Sequence, residues 1–281
     1  MKVIMVLCAG LLCFPVVAQK KKEIRVSSFN LRYDNPSDGV NAWPNRKEFV
    51  KALIRYHDFD IIGTQEGLYS QMKDLNEMSE YAFVGVGRDD GQTAGEFSAI
   101  FYKTDRFKLL DSGDFWLSET PNTPGKGWDA TCCNRICSWA KFRDANTKNV
   151  FYVFNVHFDH RGVVARRESA KLTLQKIREI AGNSPVIYAG DFNATPESEP
   201  IQIIQASLRD SYVATALPPY GPVGTFNGFR MDAPLNNRID YIFVSHHFDV
   251  LKYAALTDFL EQRFPSDHLP IVADVVLMRK K

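Results

Sequence analysis

The chain runs to 281 residues and is close to neutral, with 34 Lys and Arg against 33 Asp and Glu. Proteins that grip nucleic-acid backbone without reading sequence need clustered excess base, so this balance disfavours a tight, nonspecific DNA clamp. The length suits one large layered domain, and no linker-like or low-complexity stretch divides it.

The first residues carry an address. Lys2 precedes the almost wholly apolar run Val3 to Val17, and Val16-Val17-Ala18 ends in small residues before Gln19. This pattern predicts a signal peptide over residues 1–18 and a single exported domain over 19–281, periplasmic or extracellular. The apolar run falls short of the roughly 20 residues that cross a bilayer, and no later stretch is both long and uncharged, so stable membrane insertion is not expected. Leu7 and Leu12 stand before Cys8 and Cys13, where lipoprotein processing prefers a small residue. Free release is therefore expected over a lipid anchor.

Ile24 to Phe29 reads as a strand, Asn45 to His57 as a helix with Phe49, Val50, Leu53 and Ile54 on one face, and Asp60 to Thr64 as a second buried strand. Further on, Cys132, Cys133 and Cys137 crowd into Thr-Cys-Cys-Asn-Arg-Ile-Cys. A zinc site lacks a nearby fourth ligand, a labile disulfide is open in an oxidising compartment, and packing beneath a loop is the favoured reading. Val150 to Val156, Ala165 to Ala181 and Val186 to Ala189 then repeat the strand, helix, strand order. Each first strand ends in Phe-Asn and each second strand delivers an acid, with Asn30 to Glu66 and Asn155 to Asp191 both 36 positions apart (66 − 30 and 191 − 155). Two similar halves packed sheet on sheet give an α/β (α+β) fold, a four-layer α/β/β/α sandwich of two packed mixed sheets with helices outside. Polar strand ends from both halves then meet at one rim.

The strongest local signal is Val-Ile-Tyr-Ala-Gly-Asp-Phe-Asn, where a hydrophobic strand runs into Asp191 and Asn193 follows two residues on, on the same side of an extended chain. Alone it also reads as a turn. Ser28-Phe29-Asn30, Thr64-Gln65-Glu66, Asn155-Val156-His157, Arg238-Ile239-Asp240 and Ser266-Asp267-His268 likewise set polar residues beside apolar runs. So many desolvated acids, amides and imidazoles need a shared wet or metal-filled site. Oxygen ligands without a thiolate cluster favour Mg2+ or Mn2+ over zinc.

In order and spacing, Asn30, Glu66, His157, Asp191 with Asn193, Asp240, and Asp267-His268 resemble the motif set of the endonuclease/exonuclease/phosphatase (deoxyribonuclease I-like) superfamily, over nearly the whole mature chain. Gly95 to Tyr102 also resembles the strand that carries a carboxylate paired with the first histidine, which adds Glu96. The resemblance implies a hydrolase of phosphate esters in which Asn30, Glu66 and Asp267 hold the metal. Asp191 and Asn193 would orient and deprotonate the attacking water, His268 with Asp240 would bind the phosphate, and His157 would do likewise with Glu96. Such chemistry is mostly positioning and charge neutralisation.

Asn30-Leu31-Arg32, Gly127-Trp128-Asp129, Arg135 and Thr225-Phe226-Asn227 look most like exported bacterial members related to the deadenylase-like exonucleases. Arg32 and Arg135 fit a phosphate clamp and Trp128, Phe226 or Asn227 a base or sugar contact, with loop packing and surface charge an equal reading for each. The substrate class stays open among nucleic acid, phospholipid head group and sugar or inositol phosphate. A non-catalytic binding module would show itself by loss of an essential acid or histidine, and none is lost. No protein partner is inferred.

Overall fold

The computed structural model describes residues 22–278, so the expected signal peptide lies outside them. The first half contains β1 (Ile24–Asn30), α1 (Trp43–Tyr56), β2 (Ile61–Gln65), α2 (Tyr69–Asn76), β3 (Tyr81–Val84), β4 (Ile100–Lys103) and β5 (Phe107–Trp116). There follow β6 (Ile136–Asp144), β7 (Val150–His157), α3 (Val163–Ala181), β8 (Val186–Asp191), α4 (Glu199–Gln205), β9 (Arg209–Asp210), α5 (Ser211–Ala214), β10 (Asp240–Val244), β11 (Phe248–Ala255) and β12 (Ile271–Leu277).

Two mixed sheets result, one in the order β11-β12-β1-β2-β4-β3 and the other β5-β6-β7-β8-β10-β9. Each expected strand–helix–strand unit is there: β1 runs parallel to β2 and β7 parallel to β8, with α1 and α3 as the crossovers. The strands outrun their apolar cores by a residue or two, which places Asn30, Gln65, His157 and Asp191 inside the ladders. α1 begins earlier than Asn45 because Pro44 suits the first turn of a helix, where its missing N–H costs nothing.

The four layers follow from three apolar clusters. Ile24, Val26, Val153, Ile187 and Ile242 point between the sheets, Phe29, Val50, Leu53, Ile54 and Ile62 pack under α1 and α2, and Phe154, Ala170, Leu174, Ile177 and Tyr188 pack under α3 and α4. Alternation along the strands puts successive side chains in different layers. Near the rim the sheets are joined by polar contacts instead. The Asn155 amide donates to the carbonyls of Thr64 and Ala99 (2.8 and 2.9 Å) and accepts from Gln65 (2.7 Å). Gly63 faces that amide, and a Cβ there would lie 2.5 Å from Asn155 Oδ1, so only glycine allows the approach.

The chain between Glu96 and Ala99 departs from the expected strand. β4 starts only at Ile100, and Phe97 instead makes single antiparallel bridges to Gly67 and Gly87. The cysteines also differ from the expected packing beneath a loop. Cys132 is exposed and Cys133 half-buried, the two are bonded to each other, and Cys137 is a buried free thiol, the only one among the described residues. Among the described residues no helix is long and apolar enough to cross a membrane.

Candidate active site

The site forms where strand direction brings functional ends together. β1, β2, β7 and β8 finish at one rim, while β10 and β12, antiparallel to β8 and β1, start there. Register does the fine placement: Asp191 on β8 lies opposite His157 on β7 and Asp240 on β10. Phe192 fixes the turn beyond Asp191. It is fully buried, with ring centroids 5.0 Å from those of Phe158 and Tyr188 and 5.4 Å from those of Tyr241 and Phe243. A Phe so packed is worth several kcal/mol, about 3–5 on truncation, and it holds Asp191 and Asn193 on either side of it.

Asp191 is the hub. Its Oδ2 accepts from Asn30 Nδ2 at 3.0 Å and faces His157 Nε2 at 3.6 Å and His268 Nε2 at 3.8 Å, while Oδ1 accepts from the Asn193 amide at 2.9 Å. Asn30 Nδ2 also donates to Glu66 Oε1 at 3.1 Å, so one amide ties the two sheets across the site. His268 Nδ1 lies 2.9 Å from Asp240 Oδ2, and the loop before it is braced by Asn227, whose backbone amide donates to the Asp267 carbonyl at 2.8 Å. Glu66, Arg32 and Asn193 hold left-handed backbone (φ 63°, 55° and 47°), a conformation uncommon outside glycine.

Burial sets the two imidazoles apart. His157 is pushed well below the usual histidine range by burial, with Arg135 and Arg88 adding to the effect, and is neutral. Burial also opposes charge on His268, but Asp240, Asp191 and Asp267 outweigh it and hold the ring well above that range, as a cation. Burial, joined by Asp240, lifts Asp191 to about 7 despite His268. Burial raises Asp267 too, with Glu66 adding to it. Neighbouring titratable groups pushed in opposite directions are the pattern of acid–base sites.

These carboxylates fit a hard divalent cation. Asp240 Oδ1 is buried without a hydrogen-bond partner, and Glu66 and Asp191 line one cavity together with Asp267. Asp191, Asp240 and His268 offer ligand atoms all within 4.8 Å of one another. His268, held as a cation, has no free lone pair to give, and the oxygen donors, with no thiolate among them, suit a hard divalent cation.

The cavity measures about 600 Å3 and takes in Arg32, Glu66, Glu96, Arg135, His157, Asp191, Asn193, Phe226, Asp267 and His268 of the expected set. Phe226 sets its ring against His268, centroids 5.1 Å apart. Arg32 is engaged by Asp38 (2.9 and 3.0 Å) and reaches Asp267 at 3.9 Å. Glu96 does not pair with His157 as expected: it lies 3.7 Å from His157 Nδ1, outside hydrogen-bond range, and its carboxylate is taken by both terminal nitrogens of Arg88. Burial lifts it to about 7 despite Arg88.

Trp128 and Asn227 do not line the cavity. Asn227 spends its side chain on the Ser266 carbonyl and the Phe229 amide, and Trp128 has its amide held by Glu119. The neighbouring Asp129 has a clear task, accepting from the Val164 and Ala165 amides at 3.0 and 2.6 Å and so capping α3 from a distant loop. Sequence reasoning missed Tyr33, Arg88, His160 and the Cys132–Cys133 pair, all on the cavity wall. His160, three residues past His157, was the one with a local signal.

The sequence model described as the endonuclease/exonuclease/phosphatase family matches residues 27–268. An endonuclease/exonuclease/phosphatase family protein from Bacteroides thetaiotaomicron is 43% identical, with 92% of this chain and 98% of that one covered at a TM-score of 0.89. A mannosyl-6-phosphatase of the same organism is also 43% identical, covering 90% of this chain and all of that one, TM-score 0.86. Drosophila melanogaster Nocturnin is 25% identical over 84% of this chain and 42% of its own length. The chain spans 30% to 60% of the length of the curated relatives it matches.

Proposed function

Because this chain belongs to the endonuclease/exonuclease/phosphatase family, a family of phosphoester hydrolases, we propose that it is an exported phosphatase that hydrolyses small sugar phosphates with Mg2+ or Mn2+. The observation that carries this reading is the Asp191 hub, with His157 Nε2 at 3.6 Å and His268 Nε2 at 3.8 Å from its carboxylate, in a cavity of about 600 Å3. A cavity of that size suits a ligand of sugar-phosphate dimensions. The 43% identity to a mannosyl-6-phosphatase, over nearly the full length of both chains, supports the same class. The neutral charge balance gives little support to a nucleic-acid groove. Export rests on the apolar leader Val3 to Val17.

The residues divide the work. Glu66 and Asp267 would hold the cation, with Asp191 and Asp240 beside them, and a bound cation would neutralise phosphate charge and polarise the P–O bond. Asn30, expected as a ligand, instead turns its Nδ2 to Glu66 and Asp191 while its Oδ1 accepts from the Arg32 amide. Asp191, poised near 7, takes the proton of the attacking water. The water oxygen bonds to phosphorus, and the ester oxygen leaves with its bonding electrons and gains a proton from solvent. His268, kept cationic by Asp240, meets the charge on the equatorial oxygens, and neutral His157 donates a hydrogen bond to them. Asn30 holds Glu66 and Asp191 in register.

A hydrolysis panel tests the reading: hexose 6-phosphates, glycerol phosphate, inositol phosphates, sphingomyelin and single-stranded RNA, each with Mg2+ or Mn2+. Preference for hexose 6-phosphates is expected. Preference for RNA or sphingomyelin would replace this substrate class.

A further inference from the structure

The Cys132–Cys133 disulfide joins adjacent residues. A cross-link stabilises a fold chiefly by closing a loop of the unfolded chain, and a bond between neighbours closes almost none. Nor is the pair core packing, since Cys132 is exposed and Cys133 half-buried. Both sulfur-bearing residues instead line the cavity that holds His157, Asp191 and His268. Two residues on, Arg135 is 4% exposed and lines the same cavity. Its Nη2 donates to His160 Nδ1 at 2.8 Å and its Nε faces Asp159 at 3.5 Å, yet its Nη1 is buried with no partner. A guanidinium nitrogen left without an acceptor in a built wall calls for a ligand that brings one.

The segment is fixed at both ends. Asp129 is bound to the start of α3, the Leu117 amide donates to the Arg135 carbonyl at 2.8 Å, and Asn134 reaches the Arg88 carbonyl at 3.3 Å. The sulfurs are therefore presented at a set place opposite the reacting groups. A disulfide is apolar and polarisable and offers no strong donor. It suits the C–H face of a ring, while Arg135 beside it suits a hydroxyl edge.

We propose that Cys132–Cys133 and Arg135 form the site for the leaving group: the disulfide is a platform for the face of a pyranose ring, and Arg135 Nη1 donates to one of its hydroxyls. The inference rests on the sugar-phosphate reading above and adds the residues that select the sugar.

The test compares a hexose 6-phosphate with glycerol 3-phosphate, which has no ring, for the wild type, the wild type in dithiothreitol, Cys132→Ala/Cys133→Ala and Arg135→Lys. Mass spectrometry of the peptide that carries the pair should find it two hydrogens lighter than its reduced form. Loss of the platform should raise KM for the hexose phosphate about tenfold, the scale of a lost apolar contact in a specificity pocket. It should leave kcat and every constant for glycerol phosphate unchanged. Arg135→Lys, which also alters the surroundings of His157, should raise KM for the hexose phosphate more than for glycerol 3-phosphate, and melting temperatures of the cysteine variant should match the wild type. Equal losses on both substrates, no loss on the hexose phosphate, or two free thiols in the purified protein would overturn the proposal. A wild type that hydrolyses neither sugar ester would sink the substrate reading and this inference with it, whereas a wild type active on both but indifferent to the disulfide would sink the inference alone.

Discussion

His268 Nδ1 lies 2.9 Å from Asp240 Oδ2, and both side chains are buried. On the proposed mechanism, Asp240 would orient the ring that faces Asp191, keep it charged, and act through it. His268→Ala and Asp240→Asn should each lower kcat by roughly a hundredfold or more, the scale of deleting one preorganised electrostatic group. The double variant should be little worse than His268→Ala, because the two form a unit. Additive losses, or an Asp240→Asn protein fully active per folded molecule, would separate them.

Asn30 spans the two sheets through Glu66 and Asp191. Asn30→Ala leaves both carboxylates without that donor, so it should weaken Mn2+ binding and lower kcat together, the latter by about tenfold to a hundredfold. Calorimetric titration of Mn2+ alongside the kinetics checks this. Unchanged metal affinity would limit Asn30 to folding.

Asp129 caps α3 from outside the helix. Asp129→Ala should lower Tm by roughly 2–4 °C and leave kcat per folded molecule close to wild type. A Tm equal to wild type, followed by circular dichroism, would mean that water replaces the cap without cost.

Asp114 supplies a pH signature away from the metal ligands. Burial raises its carboxyl above the ordinary 3.8, although the Ser138 hydroxyl, donating at 2.5 Å, pulls it back. The folded protein then keeps a proton that the unfolded chain releases, so this group's contribution to stability falls as pH rises above about 4. Asp114→Asn removes the effect. Its Tm relative to wild type should therefore climb as pH rises from about 4, and a difference that stays flat with pH would rule this out.

Much of the rim was legible because its residues sit against apolar runs. Asn30, His157 and Asp191 end strands whose burial the sequence announces, and the equal spacing within the two halves told which ends would meet. What stayed hidden depends on distant chain. Arg88 takes the Glu96 carboxylate from a turn with no motif, so the expected pairing of Glu96 with His157 gave way to a stronger bidentate contact. Trp128 looked like a stacking residue beside Gly127, yet that glycine is there because a Cβ would lie 2.3 Å from the Leu117 carbonyl oxygen. The tight turn serves the Asp129 cap. Nothing in Thr-Cys-Cys-Asn-Arg-Ile-Cys told which cysteine would be left over; the structure leaves Cys137, whose strand β6 turns it into the core.

Metal-dependent hydrolysis is tested by phosphate release from a hexose 6-phosphate by the wild type and Glu66→Ala, after exhaustive chelation and again after Mg2+ or Mn2+ is restored. Chelation should abolish turnover, either cation should restore it in the wild type, and the variant, folded by its melting curve, should stay below about one hundredth of the wild-type rate. Full activity after chelation, rescue by zinc but by neither Mg2+ nor Mn2+, or a Glu66→Ala protein as active as the wild type would contradict it.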